Sequence, residues 1–269
     1  MKLCRFNFIA LLACGAVFVP RLVAAEAPIL SRILKRGELR VGMSGDQPPL
    51  NVKSRGGALI GFEPDVAEVL ARAMDVELRI VEVPFPRLMS ALESGEIDIV
   101  MSGMAITSHR ALGVKFVAPY VFSGKSILTK SESLAQAADA SDLNIEKIRL
   151  AALANSTSQS FVEGKLSHAS LTTTQNYDEA IKLLTKQEVD AIVADMPVCL
   201  FSVMRYPDQG FATLAAPLTL EPIAIAIPAN DPQLENLLDN YMSALERMGL
   251  LEKFRAKWFE DASWLPELP

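Results

Sequence analysis

The sequence has 269 residues, half of them hydrophobic, and its formal net charge is −6 at pH 7. A surface with excess negative charge argues against nucleic acid or anionic lipid as a partner. The length is sufficient for one large domain or for two small ones that each bury a core.

The first 25 residues are typical of a cleaved secretory signal peptide. Lys2 and Arg5 precede an apolar run over residues 6–19, and small residues follow where cleavage is expected, after Ala25. We therefore expect a periplasmic protein, and loss of this segment changes the formal charge to −9 because it holds three basic residues and no acid. Residues 11–14, which end in Cys14, loosely resemble a lipobox, so lipid anchoring is an alternative that the continuing apolar run disfavours.

Strands and helices alternate in the part of the chain that follows. Apolar residues at helical spacing predict helices, and short β-branched runs between turn residues predict buried strands. This order predicts right-handed crossovers and a parallel sheet. The predicted elements are a strand over 38–43, a helix from residue 61, a strand over 76–83, a helix over 85–92 ended by Gly95, and a strand over 97–101.

The same alternation then begins again, which predicts a second α/β lobe rather than one continuous sheet. We expect lobe 1 to span residues 26–122 and 222–269, and lobe 2 to span 123–221. The connections would lie at 121–125 and around Glu221. The predicted elements are strands over 148–154, 171–175, 189–195 and 223–227, and helices over 160–166 and 177–187, from Pro232 and over 250–259.

Ligands of open α/β sheets bind beyond the carboxyl ends of the strands, where loops meet helix N-termini. Two lobes that face each other would enclose a ligand between their loops of this kind. By position, the candidate segments are residues 44–49, Phe85, residues 103–110, residues 155–158 and Asp195.

Arg110 is the most informative of these residues. Thr107 is a good N-cap for a short helix from Ser108, which puts Arg110 in the first turn of that helix. A planar guanidinium at a helix N-terminus is suited to binding a carboxylate or a phosphate. The alternative is that Arg110 is a surface charge or the partner of a nearby acid.

Three stretches together resemble one known family. Residues 97–110, the sequence Phe116-Val117-Ala118-Pro119-Tyr120 and the sequence Lys257-Trp258-Phe259 resemble the family 3 extracellular solute-binding proteins, the polar amino-acid receptors of ABC importers. The resemblance covers nearly all of the chain after the signal peptide. It implies the type II periplasmic-binding-protein fold, in which two lobes, each a mainly parallel sheet flanked by helices, are joined by two hinge strands and close on a ligand. It also implies a small-molecule ligand and an ABC permease as partners, and we expect a monomer.

The resemblance assigns roles to individual residues. Arg110, with the loop that begins at Gly103, would clamp the α-carboxylate of an amino acid, and Thr157 and Ser158 would contact the same carboxylate. Asp195 would bind the α-ammonium; from the local sequence alone it is equally an N-cap for the helix from Pro197. Phe85 matches an aromatic position of the family, and its alternative is a core residue of the predicted second helix.

Four positions depart from the family pattern. Ala105 stands where Ser or Thr is common, Gln47 where an aromatic residue usually stacks on the ligand, Ser44 where an acid is often found, and Asn155 where Gly is usual. Met104, Leu153 and Met196 lie near these positions in the expected cleft. We therefore expect an uncharged side-chain pocket, which disfavours Lys, Arg or Glu as ligands.

An enzyme is the second interpretation, and we predict no catalytic residue, metal or cofactor. The two histidines, His109 and His168, are far apart in sequence, and Cys199 lies among apolar residues, as a core thiol would. A few relatives of the resembled family are exported dehydratases that act on prephenate or arogenate. Such an enzyme needs a general acid in the cleft, and the candidates are Asp195 and Asp46. A receptor that serves a membrane sensor instead of an importer is a third interpretation.

Overall fold

The computed structural model describes residues 28–269, so the predicted signal peptide and the alternative lipidation at Cys14 lie outside the described residues. The strands are β1 (Glu38–Met43), β2 (Asp46–Gln47), β3 (Asn51–Lys53), β4 (Leu59–Ile60), β5 (Glu77–Glu82), β6 (Ile99–Val100), β7 (Val114–Ser123), β8 (Lys125–Thr129), β9 (Arg149–Leu153), β10 (Ser170–Thr174), β11 (Ala191–Asp195), β12 (Ala212–Thr213) and β13 (Glu221–Pro228). The α-helices are α1 (Pro28–Arg36), α2 (Phe62–Ala73), α3 (Leu88–Ser94), α4 (Glu132–Ala135), α5 (Thr157–Lys165), α6 (Tyr177–Thr185), α7 (Met196–Arg205), α8 (Pro232–Arg247) and α9 (Leu250–Arg255).

Two five-stranded sheets organise the chain. We call lobe 1 the part built on the sheet β5-β1-β6-β13-β7, and lobe 2 the part built on the sheet β10-β9-β11-β8-β12. In each sheet four strands run in one direction and a single strand, β13 in lobe 1 and β8 in lobe 2, runs antiparallel to both of its neighbours. Each sheet is therefore mixed but mainly parallel, as the sequence predicted. The reversed strands are the two that follow the crossings: β8 brings the chain into lobe 2, and β13 brings it back into lobe 1.

The helices and strands predicted in the two repeats are present, with ends that differ by a few residues. Helix α5 begins at Thr157 instead of Ser160 because the Ser156 hydroxyl accepts a hydrogen bond from the Gln159 N–H and caps the helix. The sequence analysis did not predict α1 or the long strand β7. The run over 97–101 is fully buried as expected, although only Ile99 and Val100 pair as a strand.

Apolar faces at helical spacing hold the helices on the sheets. Helix α8 shows the pattern clearly: it starts with the Asp231 carboxylate accepting from the Leu234 N–H at 3.0 Å, and it buries Leu234, Leu238, Met242 and Leu245. These residues join the lobe 1 core with Ile223, Ile225 and Ile227 of β13. The core of lobe 1 therefore spans the first part of the chain and its C-terminal helices.

The chain crosses between the lobes twice, at neighbouring positions. Gly124 separates β7 from β8, and β13 begins at Glu221, whose register partner in β7 is Ser123. A Cβ at Gly124 would lie 1.9 Å from the carbonyl oxygen of Thr219, so only glycine fits where the two crossings touch. The two crossing segments are thus packed side by side, as the two hinge strands of the predicted fold require.

Candidate functional site

A cavity of about 820 Å³ lies between loops of the two lobes. Its lobe 1 wall includes Phe85, Met104 and Arg110, and its lobe 2 wall includes Asn155 and Thr157. The two walls also touch, since the Asn155 amide donates to the Pro86 carbonyl at 3.2 Å. The cavity therefore occupies the position at which the sequence predicted a ligand, between strand-end loops of both sheets.

Arg110 links the two walls of this cavity. Its Nη1 donates to the Ala105 carbonyl at 2.9 Å and its Nη2 donates to the Asn155 carbonyl at 3.0 Å. It begins a short 3₁₀ helix, Arg110–Leu112, and its backbone N–H donates to the Thr107 hydroxyl at 3.2 Å, close to the predicted N-cap arrangement. Two fixed hydrogen bonds orient the guanidinium plane. The alternative in which Arg110 pairs directly with an acid is not what the structure shows.

The charge of Arg110 is held in a partly desolvated place. Burial lowers the pKa of Arg110, and the carboxylates of Asp195 and Glu221 oppose this effect. The guanidinium also lies over the Phe85 ring, 5.8 Å from its centroid. Phe85 is itself 6% exposed and belongs to a buried apolar cluster, so it is both a core residue and part of the cavity wall.

Asp195 ends β11 and occupies the N-cap position of α7, but its side chain makes no capping hydrogen bond. Its carboxylate instead accepts a hydrogen bond from the ammonium of Lys125. Lys125 begins β8, and the two residues are register partners in the antiparallel pair β8–β11. The local alternative for Asp195, a side-chain helix cap, is therefore not the arrangement found.

Glu221 completes this charged cluster. The Lys125 ammonium lies 3.0 Å from Glu221 Oε2, and the Thr157 hydroxyl donates to the same oxygen at 2.7 Å. Burial raises the pKa of Glu221, but the Lys125 charge and the Thr157 hydroxyl outweigh it and bring the pKa below its ordinary value. Thr157 was predicted to contact a ligand carboxylate, but in the structure its hydroxyl donates to the carboxylate of Glu221.

Gly103 is fixed by a buried acid that sequence reasoning did not single out. The Gly103 N–H donates to Glu63 Oε1 at 2.7 Å, and Glu63 is fully buried beside Asn51 and Tyr120, which donate to the same carboxylate. Gly103 has a φ of +59°, a left-handed conformation that favours glycine. This network therefore holds the start of the loop that leads to Arg110.

Gln47 and Ser44 face the same lobe 1 network and not the cavity wall. The Gln47 amide donates to the Ser44 hydroxyl at 2.9 Å, and Gln47 is 2% exposed. The Ser44 N–H donates to the Ser102 hydroxyl at 2.9 Å. Ser158 is also buried, in lobe 2.

Apart from Ser158, the predicted residues therefore fall into three groups. Phe85, Arg110 and Thr157 line the cavity, and Ala105 contributes the carbonyl that orients Arg110. Asp195 joins the charged cluster, while Ser44, Gln47 and Gly103 belong to the supporting network. Sequence reasoning did not identify the roles of Lys125, Glu221 or Glu63. A Lys directly after the crossing glycine was the available signal for Lys125, once β8 is paired with β11.

Other candidate chemistry is absent or buried in the described part of the chain. Burial raises the pKa of the Cys199 thiol to about 12, as expected of a core cysteine. Residues 28–269 contain no cluster of three His, Cys, Asp or Glu side chains placed to hold a metal ion. None of their helices has the length and hydropathy needed to cross a membrane.

Comparison with known proteins supplies a family. Residues 39–261 match the model of the bacterial extracellular solute-binding proteins, family 3. Among curated proteins, the chain is similar to the cyclohexadienyl dehydratase of Pseudomonas aeruginosa, with 24% identity over 254 residues and 94% coverage of both chains. It is also similar to the L-cystine-binding protein of Escherichia coli K12, with 24% identity and 87% coverage of both chains.

Solved structures show the same likeness. An ancestral amino acid-binding protein, described as a precursor of cyclohexadienyl dehydratase, superposes with a TM-score of 0.78 at 33% identity, and the match covers 86% of this chain and 99% of the other. The type II periplasmic-binding-protein fold inferred from the sequence is therefore confirmed.

Proposed function

Because the chain belongs to the bacterial extracellular solute-binding proteins of family 3, we propose that it captures a small carboxylate-bearing solute, an amino acid or a related acid, between its lobes. The proposal includes delivery of that solute to an ABC transporter by a periplasmic monomer. The family match supports the general part of this proposal, a solute-binding role. The identity of the solute and the transporter partner are the proposed part.

The observation that carries the proposal is the position of Arg110. Its guanidinium lines the cavity and is oriented by carbonyl groups of both lobes. An oriented guanidinium can bind a carboxylate through two parallel hydrogen bonds. The N-terminus of α5, at Thr157, forms part of the opposite wall, where free backbone N–H groups favour negative charge. Both features support an anionic group on the solute.

The cavity size supports a small solute. A volume of about 820 Å³ falls within the range of small-molecule sites, roughly 300–1,000 Å³. Apolar side chains such as Phe85 and Met104 line it beside Arg110. Glu93 and Glu163 also border the cavity, so the lining is not free of acidic side chains as the sequence analysis expected, but its apolar side chains lie beside Arg110. We therefore propose a carboxylate whose remaining part is largely apolar.

A thermal-shift screen of the protein tests this function. The panel contains the twenty standard amino acids and the corresponding 2-oxo and 2-hydroxy acids. A compound present at 100 times its Kd should add about 2.7 kcal/mol to the free energy of unfolding. A melting temperature that no member of the panel raises would contradict the proposal.

A second candidate function is an exported dehydratase. The curated relative from Pseudomonas aeruginosa carries that name, and Asp46 supplies a specific observation. Burial raises the pKa of Asp46, and its Oδ1 is buried without a hydrogen-bond partner among the described residues. A carboxyl group with a raised pKa keeps its proton to a higher pH than usual, which suits a general acid.

Turnover separates the two candidates. Prephenate and arogenate are incubated with the protein and with Asp46→Asn, and product is measured by absorbance. The dehydratase function predicts turnover that Asp46→Asn abolishes. Stoichiometric binding of a panel acid without turnover of either compound supports the binding protein instead.

A further inference from the structure

Lys125 provides the basis for a narrower inference. Its side chain is 1% exposed, and its ammonium contacts the carboxylates of both Asp195 and Glu221. Lysine is almost never fully buried unless it is paired, so these two acids account for its position. The carboxylate that would meet the α-ammonium of an amino acid is thus already bound to an ammonium of the chain.

The backbone holds Lys125 in this place. Its N–H donates to the Thr219 hydroxyl at 2.9 Å, and its carbonyl accepts from the Leu218 N–H at 2.7 Å. The neighbouring Gly124 carbonyl accepts from the Met196 N–H at 2.8 Å, directly after Asp195. Lys125 and Asp195 are therefore fixed relative to each other from both strands. A ligand cannot displace the ammonium without leaving a buried positive charge partly unpaired, which is costly.

The charges of the cluster lead to the same conclusion. Lys125 and Arg110 carry two positive charges, and Asp195 and Glu221 carry two negative ones, so the four groups balance before a ligand enters. A ligand ammonium placed on Asp195 would lie beside the Lys125 ammonium, and like charges repel strongly in a desolvated site. A lysine ammonium has three N–H donors, of which the two carboxylates take two, so one is left. Glu221, one of these carboxylates, also accepts from Thr157 of the cavity wall, which places the Lys125 ammonium directly behind that wall.

Building on the proposed function, we infer that Lys125 is a specificity-determining residue that selects acids with an oxygen at C2, the 2-oxo and 2-hydroxy acids, over 2-amino acids. In this arrangement Arg110 binds the carboxylate and Lys125 donates to the C2 oxygen. Asp195 and Glu221 accept the other two N–H groups of Lys125. The ammonium that an amino acid would bring is supplied by the chain itself.

Calorimetric titration with matched compounds tests the inference. Phenylalanine, leucine, methionine and glutamate are each compared with their 2-oxo and 2-hydroxy counterparts, which differ only at C2. For the wild-type protein, the Kd of the best oxygen-bearing acid should be lower than that of its amino acid by about tenfold or more. In Lys125→Gln, this preference should shrink by about tenfold or reverse.

Two further variants serve as controls. Lys186→Gln removes the same charge from an exposed position in lobe 2 and should leave the preference unchanged. Lys125→Gln combined with Glu221→Gln removes one positive and one negative charge, and it provides the measurement if Lys125→Gln alone does not fold.

The outcomes distinguish the two proposals. Tighter binding of the amino acid by the wild-type protein, or an unchanged preference in both Lys125 variants, overturns the inference and leaves the proposed function standing. The absence of binding by every compound overturns the inference and the proposed function together.

Discussion

Replacing Arg110 with alanine should remove most of the affinity for a carboxylate. A hydrogen bond to a charged group contributes about 1.5–3 kcal/mol, and an oriented guanidinium can donate two such bonds to a ligand carboxylate. The expected loss is therefore about 3–6 kcal/mol, which corresponds to an increase in Kd of roughly 10²-fold to 10⁴-fold. The two carbonyl contacts at 2.9 and 3.0 Å justify the full range, since they hold the guanidinium in place before the ligand arrives.

The same substitution should leave the fold intact. Arg110 is only partly buried, and the groups it contacts are backbone carbonyls at the edge of the cavity. We expect the free energy of unfolding to change by less than about 1 kcal/mol, as is usual for positions outside a core. Urea denaturation of the ligand-free protein measures this quantity.

Calorimetric titration with the acid that gives the largest thermal shift measures the affinity. Arg110→Lys keeps the charge but loses the planar fork, so its Kd should lie between those of the wild type and Arg110→Ala. Arg87→Ala is the matched control, because it removes an exposed arginine from the same lobe. A Kd in Arg110→Ala within tenfold of the wild-type value, with normal stability, would refute the carboxylate role.

Four other outcomes are expected. Small-angle scattering should give a smaller radius of gyration when the best-binding acid is added, because the lobes are joined by two adjacent crossings; an identical radius would argue against closure. Asp195→Ala should weaken binding of an amino acid but preserve or improve binding of the matching 2-oxo acid in calorimetry, because it frees a donor of Lys125; equal losses for both acids would count against this. Glu63→Ala should lower the free energy of unfolding, measured in urea, by about 3–5 kcal/mol, because the buried Gly103 N–H and Tyr120 hydroxyl lose their acceptor. Glu63→Gln should cost less. A loss under about 1 kcal/mol in Glu63→Ala would show that this network does not stabilise the fold. Burial raises the pKa of Asp46, so the stability that its protonated form contributes is complete below the unfolded pKa of about 3.9 and is lost as pH rises through the folded pKa. Asp46→Asn should remove this decline in stability from melting curves recorded between about pH 4 and pH 8. An unchanged decline would assign it to other groups.

The sequence was sufficient to predict the alternating strands and helices at the start of each lobe. Buried strands such as the one over 97–101 are continuous apolar runs, and helices such as α8 show apolar residues at helical spacing, so both signals are local. The reversed direction of β13 and β8 was not predicted. It depends on where the chain crosses between lobes, which is a property of the tertiary fold.

The predicted site residues show a similar division. Arg110 and Phe85 line the cavity, because a loop after a buried strand must reach that edge of the sheet. Gln47 was predicted because it occupies a ligand-binding position of the resembled family, yet its amide donates a hydrogen bond to the Ser44 hydroxyl. The hydrogen-bond partner of a polar side chain depends on residues distant in sequence, and this partner decides whether the side chain is available to a ligand.

Asp195 illustrates why position and availability must be argued separately. A polar residue that ends a buried strand lies at the ligand-binding edge of a sheet whatever its partners are, so the position of Asp195 follows from local sequence. Its charge is available only if no cation of the chain pairs with it, and that cation, Lys125, is 70 residues away. From its neighbours in sequence, a lysine at the start of a strand is expected to be exposed. Burial of its ammonium requires acids nearby, and only the folded sheet brings those acids close to it. The resemblance to amino-acid receptors therefore supports the carboxylate site through Arg110, whereas the choice of group at C2 depends on a pairing that no motif contains.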